Sequence, residues 1–202
     1  MIGFVGSGLV VKGRSTSFVG ARVHHRGSAR RVPEQRARLA GLTTMAAGSL
    51  HDIKMKDING NTVDFSSLKG KVVLAMNVAC QCGYTQSGYT AMKNVAQKYG
   101  DKVRVVAFPS NEFGMQEPGS PDEIKSFVNS KFGNPDILIM EKSSVKGSSA
   151  NDVFKFAKDS GAAEPGWNFD GRLIFDKSGK LAKRLGNSSM EYDITSEIDK
   201  LL

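Results

Sequence analysis

Lys71-Val-Val-Leu-Ala-Met-Asn-Val-Ala-Cys-Gln-Cys-Gly-Tyr-Thr85 is the stretch whose reading decides the fold of this chain. Val72 to Met76 form an apolar run of the kind that makes a strand buried on both faces. Small and polar residues from Asn77 to Gly83 follow, and a helical segment begins near Thr85. The chain has two cysteines, Cys80 and Cys82, and both stand at this strand-to-helix junction. A thiol there faces backbone N–H groups and the positive end of the helix dipole, and both favour the thiolate. A free cysteine titrates near about 8.5, and such positions bring it to roughly 3.5–7.5. A cysteine without such a setting is a small buried hydrophobe. Gly83 and the flanking strand and helix signals weigh for a reactive thiol.

Outward from that stretch, the chain alternates strands and helices. On its N-terminal side, residues 52–57 and 62–65 flank Asn59-Gly60-Asn61, a hairpin signal. On its C-terminal side, Tyr89, Met92, Val95 and Tyr99 recur at helical spacing over 87–99, and Gly100 ends the helix. Val103 to Phe108 read as a second buried strand, with residues 109–119 as the loop beyond it. Ser120-Pro121-Asp122-Glu123 carries a capping serine, proline at the first helical position and glutamate at the third, which predicts a helix to about Phe132. A short strand at 136–140, a helix at 151–158, a hairpin of 172–175 with 180–185, and a closing amphipathic helix at 190–202 complete the pattern. This order points to an α/β sheet with helices on both faces.

Composition and charge narrow the function. The net charge of +8 would suit nucleic acid or another acidic partner if it were spread over the folded part. Residues 1–44, however, hold eight of the 28 basic residues and one of the 20 acidic ones, so 45–202 keep twenty and nineteen and are close to neutral. Nucleic-acid binding loses its support. The arginine-, serine- and alanine-rich 1–44 segment reads as an organelle-targeting leader, mitochondrial or plastid, cleaved or disordered. The alternatives are a plain basic tail or a translation start at Met45, which would leave the protein cytoplasmic. Gly6, Ser7 and Gly8 break the apolar start and disfavour a secretory signal. No apolar run reaches the length of a membrane span. Two cysteines in this arrangement suit a reducing compartment.

Three motifs in order carry a resemblance. They are Asn77-Val78-Ala79-Cys80-Gln81-Cys82-Gly83-Tyr84-Thr85, then Phe108-Pro109-Ser110-Asn111-Glu112-Phe113-Gly114-Met115-Gln116-Glu117-Pro118-Gly119, then Trp167-Asn168-Phe169. Over roughly residues 50–202 the chain resembles the glutathione peroxidase family. That resemblance implies a thioredoxin-like fold with a central mixed sheet, helices on both faces and an N-terminal β-hairpin. It also implies a catalytic set of Cys82, Gln116, Trp167 and Asn168, the residue matching Cys82 being the peroxide-attacking cysteine or selenocysteine. Asn77, Gly83 and Thr85 are supporting residues of the same segment. The chemistry agrees with the residue types. A glutamine amide, an indole N–H and an asparagine amide are three neutral donors able to favour a thiolate without a histidine base. His24, His25 and His51 all lie outside the motifs.

Departures from the family pattern sharpen the reading. Ser110 and Glu112 stand where the family usually has cysteine and glutamine. Asn129 occupies the position of the resolving cysteine of thioredoxin-dependent relatives. Cys80 is therefore a candidate resolving thiol, on the premise that residues i and i+2 of an extended segment point the same way. The alternative is that Cys80 fills the family's usual serine position and an external thiol resolves Cys82. The short stretch between Phe156 and Trp167 resembles the monomeric, phospholipid-hydroperoxide type. Arg184 matches a basic residue of that type, whereas Tyr84 and Gly166 stand where animal members carry lysines.

The expected function is a thiol peroxidase reducing hydrogen peroxide and organic or lipid hydroperoxides through a Cys82 sulfenic acid. Glutathione or thioredoxin would serve as co-substrate, with no resident cofactor and no metal. The alternative is a peroxide sensor that passes oxidation from Cys82 to a partner protein. A metal site on Cys80 and Cys82 lacks further ligands to complete its shell.

Overall fold

The structure is a computed structural model and describes residue 13 and residues 47–202. Apart from residue 13, the expected 1–44 leader lies outside the described residues. Seven strands and four α-helices follow in chain order among the described residues: β1 Lys54–Lys56, β2 Thr62–Asp64, β3 Val72–Val78, α1 Thr85–Tyr99, β4 Val103–Pro109, α2 Pro121–Phe132, β5 Leu138–Ile139, α3 Asp152–Asp159, β6 Arg172–Phe175, β7 Leu181–Leu185 and α4 Glu191–Asp199. β1 and β2 form a separate antiparallel hairpin, while the other five make one mixed sheet in the order β5-β4-β3-β6-β7. β3 runs parallel to β4, and β4 to β5; β6 and β7 are antiparallel. This is the α/β arrangement that the residue pattern predicts and the thioredoxin-like fold that the resemblance implies.

β3 is central because its apolar side chains have a core on either face. All seven of its residues are buried. Val72, Leu74, Met76 and Val78 join the core formed with α1, α2 and α4. Val73 and Ala75 face the opposite core, with α3 and the segment before β3. Strand periodicity thus divides one apolar run between two layers. Truncating Leu74 to alanine should cost about 2–5 kcal/mol.

The helix signals also find their structure. Ser120 and Glu123 close a reciprocal capping box at the start of α2, with Pro121 in the first turn, and Gly133 ends that helix in left-handed backbone at φ 73°. Two boundaries differ from the expected spans. α1 begins at Thr85, as the junction suggests and two residues before the 87–99 span of its apolar spacing, with the Thr85 hydroxyl engaged in the cysteine turn. α4 stops at Asp199, short of the chain end.

The connectivity sets up the site. β3 and β4 lie side by side and parallel, so the cysteine turn after β3 and the loop after β4 emerge at the same edge, beyond the carboxyl ends of the strands. The Ser110 N–H donates to the Val78 carbonyl at 3.1 Å and starts both loops together.

Candidate active site

The cysteine turn is held from the helix side. Thr85, buried at the first position of α1, accepts from the Cys82 N–H at 3.0 Å and donates its hydroxyl to the Ala79 carbonyl at 2.7 Å. Its own N–H donates to the Cys82 carbonyl at 3.0 Å. One side chain and one amide therefore close the turn at both ends. The Cys82 sulfur is half-buried and accepts the Tyr84 N–H at 3.5 Å. Tyr84, the N-cap residue of α1, offers no side-chain cap, and its own N–H is the group that reaches the sulfur. A Cβ on Gly83 would meet nothing within 4 Å, so packing does not demand glycine there.

Gln116, Trp167 and Asn168 come together across two loops. The Gln116 carbonyl accepts the Gln81 N–H at 3.0 Å, which ties its loop to the residue between the two cysteines. Asn168, fully buried, donates to the Gln116 side-chain oxygen at 2.9 Å and to the Phe113 carbonyl at 3.2 Å. Both amide hydrogens of Asn168 are thereby committed, and neither remains for a sulfur. The expected trio of donors is accordingly rearranged: Asn168 orients Gln116, turning that residue's NH2 group away from Asn168. Gly114 carries φ +63°, and a Cβ there would come within 3.3 Å of the Trp167 ring and 3.5 Å of the Gln116 amide nitrogen. The indole and the amide thus close on the same small space. Trp167 is 39 % exposed and leans on Phe113, ring centroids 6.1 Å apart.

Asn77 acts on this loop rather than on the cysteine turn. Fully buried in β3, it donates to the Trp167 carbonyl at 2.9 Å and accepts the Gly171 N–H at 2.8 Å, and its carbonyl accepts the Phe169 N–H at 2.9 Å.

The glutathione peroxidase family model matches residues 50–158, just over half of the chain. The chain belongs to the glutathione peroxidase family. It is 40 % identical over 159 residues to the Arabidopsis thaliana protein named probable phospholipid hydroperoxide glutathione peroxidase 6, mitochondrial, covering 76 % of this chain and 68 % of that one. It is 37 % identical over 162 residues to phospholipid hydroperoxide glutathione peroxidase 1, chloroplastic, of the same plant, covering 78 % and 68 %. Among solved structures, T. cruzi GPX1 superposes with a TM-score of 0.61 at 28 % identity, over 76 % of this chain and 95 % of that one. The protein is accordingly a peroxidase, an oxidoreductase of the thioredoxin-like fold.

Within this glutathione peroxidase the unusual residues are paired. Ser110 is fully buried and its hydroxyl lies 3.4 Å from the Glu112 carboxylate, which also accepts the Val145 N–H at 2.7 Å. The two departures in the second motif satisfy each other. Arg184 is bound to Asp170 at 2.8 Å, both side chains largely buried, so its charge holds the third-motif loop instead of facing solvent.

The premise that Cys80 and Cys82 lie on an extended segment does not hold. Residues 80, 81, 83 and 84 lie in turns and Cys82 in a bend, so the side-chain alternation of an extended strand does not apply. Cys80 faces Glu117 instead, and burial, then that carboxylate, push its thiol well above the usual range. Sequence reasoning passed over three residues here. Glu117 has no exposed surface and its carboxylate oxygens have no hydrogen-bond partner. The Tyr89 hydroxyl, behind it, is equally unpartnered. Arg172, 4 % exposed, donates to the Phe169 and Asn187 carbonyls and holds the third-motif loop from below. A glutamate next to the motif glutamine was visible in the sequence; that it is buried beside Cys80 was not. Among the described residues no three His, Cys, Asp or Glu side chains gather as a metal shell, and no helix is long and apolar enough to cross a membrane.

Proposed function

We propose that Cys82 is the peroxide-attacking thiol, acting on hydrogen peroxide and on organic, including phospholipid, hydroperoxides, with glutathione or thioredoxin as reductant. The observation that carries this reading is the position of the Cys82 sulfur, which accepts a backbone N–H at the mouth of α1 within a turn fixed at both ends by Thr85. The thiolate attacks the terminal peroxide oxygen, the O–O bond breaks, and the departing oxygen leaves as water or alcohol after taking a proton. Cys82 is left as a sulfenic acid. Gln116 and Trp167 are the neutral donors that stabilise the anion, and Asn168 is a positioning residue that aims Gln116. Two thiol equivalents then restore Cys82.

The relatives' names support a phospholipid hydroperoxide among the substrates, and an organelle as destination for a chain whose first 44 residues are basic and nearly free of acids. A monomer fits the short stretch before Trp167. The test is steady-state consumption of hydrogen peroxide and a phospholipid hydroperoxide with glutathione and, separately, with thioredoxin. Repeated turnover with either thiol is expected. Oxidation that stops at one equivalent, with either thiol present, would replace the enzyme by a sensor.

A further inference from the structure

Glu117 is the most anomalous side chain near the site. It belongs to the loop that carries Gln116, has no exposed surface, and both of its carboxylate oxygens lack a hydrogen-bond partner. An unpaired buried carboxylate costs several kcal/mol. Lys142 stands nearby, but its ammonium donates to the backbone carbonyls of Glu117 at 3.1 Å and Gly119 at 2.7 Å instead of to the carboxylate. The groups that face the carboxylate are the thiol and N–H of Cys80 from the turn, the Tyr89 hydroxyl from α1, and the Lys142 charge from the loop after β5. Cys80 in turn lines a groove of about 430 Å³ with Gln81, Pro118, Ile124 and Phe127, into which no other sulfur opens among the described residues. Glu117 lines the same groove from beneath its surface, and the half-buried Cys80 is the more exposed member of the pair.

We propose that Glu117 is the general base for Cys80, and that this pair resolves the oxidised Cys82 within the chain. The inference rests on the reading of Cys82 as the attacking thiol. The Cys80 proton passes to the Glu117 carboxylate, and the Cys80 sulfur attacks the Cys82 sulfenic sulfur. The S–S bond forms as the S–O bond breaks, and the departing hydroxide takes the proton from Glu117 and leaves as water. Cys80 is oxidised, Cys82 is reduced, and Glu117 ends as it began. The turn favours this step through its span. Two residues of extended chain set Cα atoms about 6.7 Å apart, near the upper limit of about 6.8 Å for disulfides. Folding the same residues into a turn shortens that distance. The turn must still rotate, releasing the Gln81 N–H from Gln116 and the Cys82 N–H from Thr85. Burial, which keeps the Cys80 thiol protonated, spares it from peroxide until a sulfenic acid is beside it.

The experiment treats the reduced full chain with one equivalent of hydrogen peroxide, without added thiol, then alkylates free cysteines and maps the peptides by mass spectrometry over time. A Cys80–Cys82 linkage is expected. Glu117→Gln should slow its formation by about 10²-fold, the contribution of a positioned base, and Glu117→Asp should recover part of the rate. The pH profile separates a base from a packing residue. The wild-type rate should rise through a carboxyl titration and then level, whereas Glu117→Gln should climb steadily with pH as the Cys80 thiol ionises. Should Glu117→Gln not fold, the wild-type profile alone decides: a plateau supports the base, and unit slope through neutral pH overturns it. Sulfinic acid on Cys82 with Cys80 alkylated would overturn the inference while leaving the peroxidase chemistry standing. A Cys82 that stays reduced would overturn both.

Discussion

Cys82 and Cys80 are separated by one residue and pack against the same core, yet their sulfurs meet different polar groups. Cys82 sits at the mouth of α1, where a backbone N–H reaches its sulfur and Thr85 fixes the turn around it. Cys80 sits beside the buried Glu117 carboxylate, and both burial and that acid oppose its ionisation. The difference teaches that a strand-to-helix junction sets a thiol's surroundings residue by residue: one sulfur accepts a backbone N–H, the other faces a carboxylate. Moving the sulfur by two residues exchanges a donor-rich mouth for an acceptor-rich pocket.

The comparison breaks most visibly at Cys82 itself. Cys82→Ser should lower kcat/KM for peroxide by at least about 10³-fold, because a hydroxyl is a far weaker nucleophile at neutral pH. The same variant should lose the change in Trp167 fluorescence that stoichiometric peroxide produces in the native protein. If Cys80→Ser removed as much of the first oxidation as Cys82→Ser does, the two surroundings would not divide the labour, and rapid-mixing oxidation kinetics would show it.

The donor side of the comparison is sharpened at Asn168. Asn168→Ala should lower kcat/KM by about 10–10²-fold, somewhat less than the loss of a catalytic donor. Its effect should not add to that of Gln116→Ala, since Asn168 acts by aiming Gln116. Independent effects in the double-mutant cycle would mean that Asn168 meets the sulfur directly.

The smallest effects concern two carboxylates with opposite slopes. Burial alone would raise Asp170, but N–H groups of Gly166 and Asn187 and the Arg184 guanidinium outweigh it and hold its carboxyl below the usual range. Its contribution is present above the unfolded value of about 4 and is lost as pH falls toward the folded one. Glu117 is raised by burial, which its Cys80 and Lys142 neighbours only partly offset. The folded protein therefore keeps this proton where the unfolded chain has released it, and stability declines as pH rises from about 4.3 to the folded value. Denaturant titrations across pH 3–7 (a range of about four units) should show Asp170→Asn flattening the acid limb and Glu117→Gln flattening the other. Asp170→Asn should cost about 1–3 kcal/mol at neutral pH. Parallel shifts for both variants would contradict the assigned directions.

Much of this fold is legible in the sequence because its signals are local. The alternation along Val72–Val78, the capping box at Ser120 and the turn at Asn59-Gly60 each need only their neighbours. The site is legible by motif but not by role. Asn168 reads as a donor to sulfur until its two N–H groups are seen on the Gln116 side chain and the Phe113 carbonyl. Asn77 reads as a supporting residue of the cysteine segment, whereas its partners lie 90 residues or more away in sequence, at Trp167 and Gly171. The extended reading of Cys80 failed because the Thr85 side chain, three residues beyond Cys82, bends the backbone back on itself. Glu117 lies in a Gly/Pro-rich loop that carries no local signal of burial; only the folded packing leaves it with no exposed surface.

Met115 leaves a different mark on the protein's life. It sits at φ 52°, left-handed backbone that a non-glycine residue adopts at a cost of about 1–2 kcal/mol, and its side chain is 76 % exposed. That places a soft thioether in open water, one residue before Gln116, on the rim of a site that handles oxidants. Each pass of substrate is a chance of sulfoxide formation there, which turns an apolar side chain polar and bulky. Its exposure makes Met115 a place on this loop where an oxidant would leave a trace as sulfoxide.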